Sequence, residues 1–564
     1  MGLPVVKTTL AWVLAGLVVG CAPAAPNQPA AIGRQDATGP KTLTIGVLRG
    51  MPDFSPFTAM SVSTSASAIT PIVSNGLTYA DDRGVTHPLK AVDLPSFEKG
   101  TWKVFDDGRM ETTWRLRPNI FWHDGTPQTP ADYTFNFEVS QDRELPRAVT
   151  PDALAQSGMS FPDALTIVVS WSTPFVDAGI SGPGTLPRHI LDEAYRQDKL
   201  GAFINHAYWT HEHINDGPYK IARWDLGADM ELERHDLYFL GRPPFDKVFV
   251  RVIGDAQTLI SNILSGSLDI VLPPGIDLDA ALEVKRRWEG TGNEVRADVV
   301  GRIIHFEPQF RPEIARPSLG LAEQPVRQAL YQAINRQALA DFMAHGFGPL
   351  ADGWYRPDEP RRAELAIPQF PYDPSSAPAL LASVGWRRGG DGILIHERTG
   401  EQFRVEIWAN VAASWDKLGY AVAEDWKPLG VDAQVHPIPP ARTGDREYES
   451  GHTGVFVTNV NEEQFFVNRL HSSRIPSVAT RWVGNNRGGY KNPEVDVLYD
   501  RLVATLNPRD RAPIERELVR LVMGGLVMMP FYWETLPVLK LKGVKDHRLK
   551  TGNNTWFFFN WDKE

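Results

Sequence analysis

The sequence predicts an α/β protein folded as two or more lobes, and three observations carry that reading. Its 564 residues, 42% hydrophobic and 22% charged, have an ordinary globular composition yet exceed what one hydrophobic core organises. From Thr42 onward, period-two and helical-period segments intermix without the strict strand–helix alternation of a single doubly wound sheet. The only cysteine is Cys21, so the rest of the chain must be stabilised by packing and not by disulfides.

The elements follow in chain order. Met1 to Gly20 carries one positive charge at Lys7, an apolar run from Leu10 through Val19 and small residues beside Cys21, the layout of an export signal. That run is too short for a permanent membrane span. Val18-Val19-Gly20-Cys21 resembles the lipobox of bacterial lipoproteins, and the resemblance implies cleavage before Cys21 and its acylation. The alternative is an ordinary cleaved signal with an incidental cysteine. Residues 22–41, rich in Ala, Pro, Gln and Gly, read as a flexible spacer.

Residues 42–48 alternate as a strand, a Ser/Thr-rich stretch covers 61–67, and an apolar pattern resumes over 69–77. A strand is expected at 112–116, then a helix over 130–140 capped by Thr129. Strands are expected at 165–171, 219–224, 230–234 and 247–252. Helices are expected at 256–265, 325–342, 375–384 and 415–428, with 493–506 running on to 511–523. Asn215-Asp216-Gly217-Pro218 and Gly241-Arg242-Pro243-Pro244 punctuate turns and not domain linkers.

Composition excludes several function classes. A net charge of −10 without a polybasic run argues against nucleic-acid binding. Disorder and coiled coil are equally excluded. Seventeen Trp, 14 Tyr and 26 Phe supply core filling and a possible ligand-stacking surface.

Several segments, in order, resemble the bacterial extracellular solute-binding proteins that serve oligopeptide, dipeptide and nickel importers. They are Trp114 to Arg117 with Ile120 to Pro127 and Ala131-Asp132-Tyr133; Gly217 to Ile221 with Trp224 and residues 232–238; and Ser265 to Ile270. Pro325 to Ala329 with Ala333 to Arg336, Tyr372-Asp373-Pro374 with Gly385-Trp386, and Tyr490 to Asp496 complete the series. Asn215-Asp216 stand where the family usually has Gly-Thr, and Asn335 where Asp is commoner.

The resemblance implies a periplasmic-binding-protein-like fold of type II, cluster C: two lobes, an extra domain and a hinged ligand cleft. The implied division is a signal over 1–20, a lipidated N-terminus and spacer over 21–41, and a discontinuous first lobe from 42–82, 216–300 and 532–564. An extra domain over 83–215 and a further lobe over 301–531 complete it. The implied role is capture of a peptide or peptide-like solute for an ABC permease and its ATPase. The protein would be a monomer with no cofactor, held at the periplasmic or extracellular face of the membrane by its lipid alone.

Oligopeptide-binding members meet the ligand amine with an Asp in a Trp-x-x-Asp segment. The aligned stretch here, Gly454 to Asn459, has neither residue. Phe456, Thr458, Asn459 and Asn461 are the candidate cleft residues, with Glu462 and Glu463 able to restore a charge if the register shifts. Position in the family adds Trp354, Tyr355, Arg442 and Tyr532, and more weakly Ser61 and Ser63. Aromatic faces stack on peptide planes and Arg grips carboxylates; each of these residues also reads as core or surface.

Relatives that carry nickel or haem make a metal worth weighing at His206, His211 and His213 with Glu212. Their spacing is not the His-Glu-x-x-His of a helical zinc site, and exposed loop histidines are the plainer account. No G-x-S-x-G elbow or phosphate loop is present, and nothing nominates a nucleophile with its base, so an enzyme is not expected. A non-peptide solute, sugar-like, opine-like or a metal complex, remains open. So does a polypeptide-binding receptor or chaperone uncoupled from import.

Overall fold

A computed structural model describes residues 39–57, 64–81, 85–146, 151–273, 275–357, 359, 361–461, 466–545, 547, 555 and 558–564. Cys21, Ser61, Ser63, Glu462 and Glu463 lie outside them, and among the described residues no helix is long and apolar enough to cross a membrane.

The organising element is a ten-stranded sheet. Its spatial order is Asp432–Ile438, Arg404–Asn410, Val455–Asn461, Glu294–Pro308, Met529–Lys540, Ile270–Val271, Thr42–Val47, Lys247–Val252, Met230–Arg234 and Tyr219–Trp224. At one end Arg404–Asn410 runs parallel to both Asp432–Ile438 and Val455–Asn461. Nearer the other end Thr42–Val47 runs parallel to both Lys247–Val252 and Ile270–Val271. Two long antiparallel strands, Glu294–Pro308 and Met529–Lys540, lie between these groups; they pair with each other, the first also with Val455–Asn461 and the second also with Ile270–Val271.

Each group of strands has its own core, because parallel strands must bury both faces. Helices Gln324–Gln332, Arg336–Ala344, Ala377–Ser383 and Trp415–Trp426 bury Leu330, Leu339, Leu381 and Val422 against Ile304, Phe306, Val457 and Phe531. Helices Pro493–Ala504 and Pro508–Val522 cover the opposite face at Ile303, Val460 and Trp533. Around Thr42–Val47, helix Thr64–Val73 contributes Ile69 and Ile72, and Ala256–Leu264 contributes Leu259 and Ile263 to a separate cluster. At roughly 1.5–3 kcal/mol per fully buried large apolar side chain, these clusters dominate the energetics of the body.

Residues 102–171 contain a separate antiparallel sheet, ordered Trp102–Val104, Met110–Arg115, Thr166–Trp171 and Gln156–Asp163. Thr166–Trp171 alternates half-buried and buried positions, and its Trp171 indole donates to Thr112 Oγ1 at 3.0 Å. Helix Pro130–Gln141 sends Tyr133 into this core and Phe135 and Val139 into a neighbouring one. It starts as expected at Thr129, whose backbone N–H donates to Asp132 at 2.8 Å. Val503 and Leu506, from the far end of the chain, pack against the same sheet's core.

The turn at 215–218 shows why Asp216 stands there. Its carboxylate is fully buried and accepts from Lys90 Nζ at 2.6 Å, Gln128 Nε2 at 2.7 Å and the Asn75 backbone N–H at 2.8 Å. Lys90 is only 1% exposed, so the departure from the family pattern at 216 is matched by a buried cation 126 residues away.

Two expected helices are each divided. The stretch 325–342 breaks at Ala333 to Asn335, where the Asn335 side chain accepts from Ala338 N and starts the next helix. The run from 493 to 523 breaks before Asn507, which caps Pro508–Val522. Asn at a cap and Pro in the first turn make a new start cheaper than continuation.

Candidate functional site

Parallel strands carry the site at their carboxyl ends, where a sheet changes its winding. The register directs both groups of carboxyl ends to one place. Ile270–Val271 pairs with Lys540 and then Leu539, so it runs toward the start of Met529–Lys540. Val455–Asn461 pairs from Pro308 down to Arg302, so it runs toward the middle of Glu294–Pro308.

At that place the two long strands lose register. Val299 opposes Thr535 and Ile303 opposes Trp533, so residues 300–302 face Glu534 alone. Gly301 takes φ +61° there, a left-handed value that favours glycine. The irregularity bends the ladder where it passes from one group of parallel strands to the other.

Arg302 and Glu534 meet across this bulge, Nε to Oε2 at 2.6 Å, with side chains 14% and 16% exposed. Those two atoms are sealed from solvent without a well-formed hydrogen bond. Tyr532, two residues back, opposes Ile304 and bridges to Leu350; burial, and then the charge of Glu534, push its phenol up. Asn459 opposes Ile304 from the other side, and its carbonyl accepts from Arg469 at 3.1 Å. Asn461 opposes Arg302. Of the residues singled out from sequence, Asn459, Asn461 and Tyr532 therefore lie in register with the crossover.

Phe456 and Thr458 fall on the alternate positions of the same strand and are buried, opposite Glu307 and His305. Below them burial works to raise the Glu307 carboxyl, and the guanidinium charges of Arg469 and Arg487 outweigh it, leaving Glu307 below its usual range. Burial lowers His305 to about 3 and His452 to about 4. Arg487 lies 5.6 Å above the Phe456 ring, and Gly488 N donates to Glu307 at 2.9 Å. This is a buried polar layer under residues 466–490.

Arg442 lies just past the carboxyl end of Asp432–Ile438, half exposed, paired with Asp445 at 3.1 Å and stacked 4.3 Å over Tyr448. Behind it Trp408 stacks on His436 at 4.1 Å, and His436 Nε2 meets the Tyr448 hydroxyl at 2.7 Å. Trp354 and Tyr355 are 3% and 7% exposed in the core under helices Pro493–Ala504 and Pro508–Val522.

The three histidines near 210 do separate work. His206 Nδ1 accepts from Tyr208 N at 3.0 Å, His211 is exposed, and His213 is buried, stacked 3.9 Å from Phe54 with Nδ1 against the Tyr208 carbonyl. Among the described residues no three His, Cys, Asp or Glu side chains gather where they would hold a metal. A cavity of 320 Å³ near Phe54, Thr185, Trp209 and His213 lies away from the crossover.

Arg302 and Glu534 were not singled out from sequence. The signal available was slight: one acid inside the mostly apolar Met529–Lys540, and an arginine directly after a glycine.

The sequence pattern of bacterial extracellular solute-binding proteins, family 5, matches residues 96–475. The oligopeptide-binding protein AppA of Bacillus subtilis is 24% identical over 411 residues, covering 70% of this chain and 69% of that one. The oligopeptide-binding protein of Thermus thermophilus, solved with a pentapeptide, superposes with a TM-score of 0.77 at 22% identity, covering 93% of this chain and 96% of its own. NikZ of Campylobacter jejuni, solved with Ni(L-His), gives 0.75 at 19% identity, covering 93% and 99%. With its crossing strands, its separate antiparallel sheet and this match over more than half its length, the chain belongs to the family 5 bacterial extracellular solute-binding proteins and has their two-lobe periplasmic-binding-protein fold.

Proposed function

We propose that the chain is the substrate-binding lipoprotein of an ABC importer, capturing oligopeptides or peptide-like solutes between two lobes and delivering them to a membrane permease. The observation that carries this reading is the convergence of both groups of strand ends on the bulge at 300–302 and 534. On this reading the bulge is the hinge, separating a lobe of 42–82, 216–300 and 532–564 from one of 301–531, with 83–215 as the extra domain. Ligand bridging both lobes favours the closed arrangement, and the permease distinguishes loaded from empty protein. Likeness to peptide-binding relatives supports the ligand class. Cys21 carries the lipid and residues 22–41 tether the body to the envelope.

A metal chelate or other non-peptide solute is the second reading. It is favoured by the neutral Thr458-Asn459 where a Trp-x-x-Asp segment is expected, and by likeness to NikZ. The test is native mass spectrometry of the body after Cys21, purified from its own host, with ligand released by denaturation. A heterogeneous set of short peptides is expected. A single non-peptide species or a metal complex overturns the peptide assignment.

A further inference from the structure

The reading above leaves the ligand amine without its usual carboxylate, since Gly454 to Asn459 contains no acid. A strand two places along the sheet, Met529–Lys540, supplies one. Glu534 sits at the bulge, and its Oε2 is committed to Arg302 Nε at 2.6 Å. Only these inner atoms are sealed from solvent; the side chains keep 16% and 14% exposure through Oε1 and the outer guanidinium nitrogens. Among the described residues each is the other's ion-pair partner.

A partly buried ion pair with unfilled valences is a poor stability device. Desolvation offsets much of its attraction unless further hydrogen bonds fill the remaining donors and acceptors. A carboxylate has about four lone-pair sites and a guanidinium five N–H donors, so most of both sets is unused here. The pair thus presents an anionic and a cationic edge side by side, at the bulge toward which both groups of strands run, Asn461 opposite Arg302 and Val271 opposite Leu539.

The N-terminal residue of a peptide carries the complementary pattern within one residue: an ammonium, then a carbonyl oxygen one carbon further on. We propose that Glu534 and Arg302 form the amine-end subsite, Glu534 Oε1 accepting from the ligand's free α-ammonium and an outer Arg302 nitrogen donating to its first carbonyl. The preferred ligand class is then a peptide with a free N-terminus, and the inner Nε to Oε2 contact fixes both groups in place. Such charge-assisted contacts are about twice as strong as neutral ones and gain from low local dielectric. The proposal rests on the crossover being the floor of the ligand cleft.

The test uses the body after Cys21 and alanine peptides of two to six residues, each with free termini, N-acetylated or C-amidated, titrated by calorimetry. N-acetylation is expected to weaken binding at least tenfold and C-amidation much less. Glu534→Gln should bind free-amine peptides at least tenfold more weakly and lose the discrimination, while Glu534→Asp retains it. Arg302→Gln should weaken free and acetylated peptides alike. Thermal melts establish that each variant is folded. If acetylated and free peptides bind equally, or folded Glu534→Gln still discriminates, the subsite is refuted while the peptide reading stands. If no alanine peptide binds, the peptide reading itself falls, and the subsite with it.

Discussion

Replacing Asp216 by Asn tests the buried ion pair that ties the turn at 215–218 to Lys90 and Gln128. The change removes one charge and keeps the size, so Lys90 Nζ stays 1–2% exposed with its anionic partner gone. Breaking a buried ion pair by neutralising one member costs about 3–5 kcal/mol, because the surviving charge is left uncompensated. The upper part of that range is expected here, since the same carboxylate also accepts from Gln128 at 2.7 Å and Asn75 N at 2.8 Å, contacts that an amide reproduces only in part. Lys90→Met in the Asp216→Asn background removes the stranded cation and should recover at least about 2 kcal/mol, a coupling that a double-mutant cycle reads directly. The assay is urea unfolding followed by tryptophan fluorescence, with amide exchange over 83–215 to detect local opening. A loss below about 1 kcal/mol for Asp216→Asn, or additive single variants, would refute the reasoning.

Three further outcomes are expected. Burial lowers His213 and His452 to about 4 and His305 to about 3, against 6.5 for an unperturbed histidine. The unfolded chain therefore binds more protons between those values, so stability is full above pH 6.5 and falls as pH drops toward 4; His452→Gln should flatten that fall in a melting-temperature series. Trp354→Ala should cost about 3–5 kcal/mol as a core deletion, whereas the half-exposed Arg442→Ala should change stability by at most about 0.5 kcal/mol, so calorimetry on Arg442→Ala reports ligand contact alone. Gly301→Val forces a β-branched side chain to φ +61° and should cost about 1–2 kcal/mol in urea unfolding; an unchanged midpoint would mean the bulge relaxes freely.

Much of the fold was legible because local and tertiary demands agreed. Tyr219–Trp224, Met230–Arg234 and Lys247–Val252 lie at the expected positions, since each alternates and is bounded by turn residues. Ala256–Leu264 lies where an apolar stripe between Asp255 and Gly266 puts it. The internal starts at Asn335 and Asn507 were harder to see, because the apolar period continues across both breaks and only a single capping side chain marks them. Glu294–Pro308 was not legible as one strand: Arg296, Asp298, Gly301 and Arg302 interrupt its apolar run, and what keeps it extended is pairing with residues 147 to 246 positions away.

The candidate site divides along the same line. A strand's side chains alternate, so Phe456, Thr458, Asn459 and Asn461 cannot all address one ligand. Asn459 and Asn461 lie in register with Ile304 and Arg302, while Phe456 and Thr458 oppose Glu307 and His305 above the buried polar layer. Resemblance to a family supplies the strand but not its phase, and phase follows only from the ladder. Glu534 breaks the mostly apolar pattern of Met529–Lys540, whereas Arg302 is one of several charges in Glu294–Pro308, and the partnership of the two is not visible in sequence. Such breaks concentrate where function outweighs packing. Their explanation lies across the sheet, in one ion pair at the bulge toward which both sets of strands run, so the residues hardest to justify from sequence are those we propose to meet the ligand.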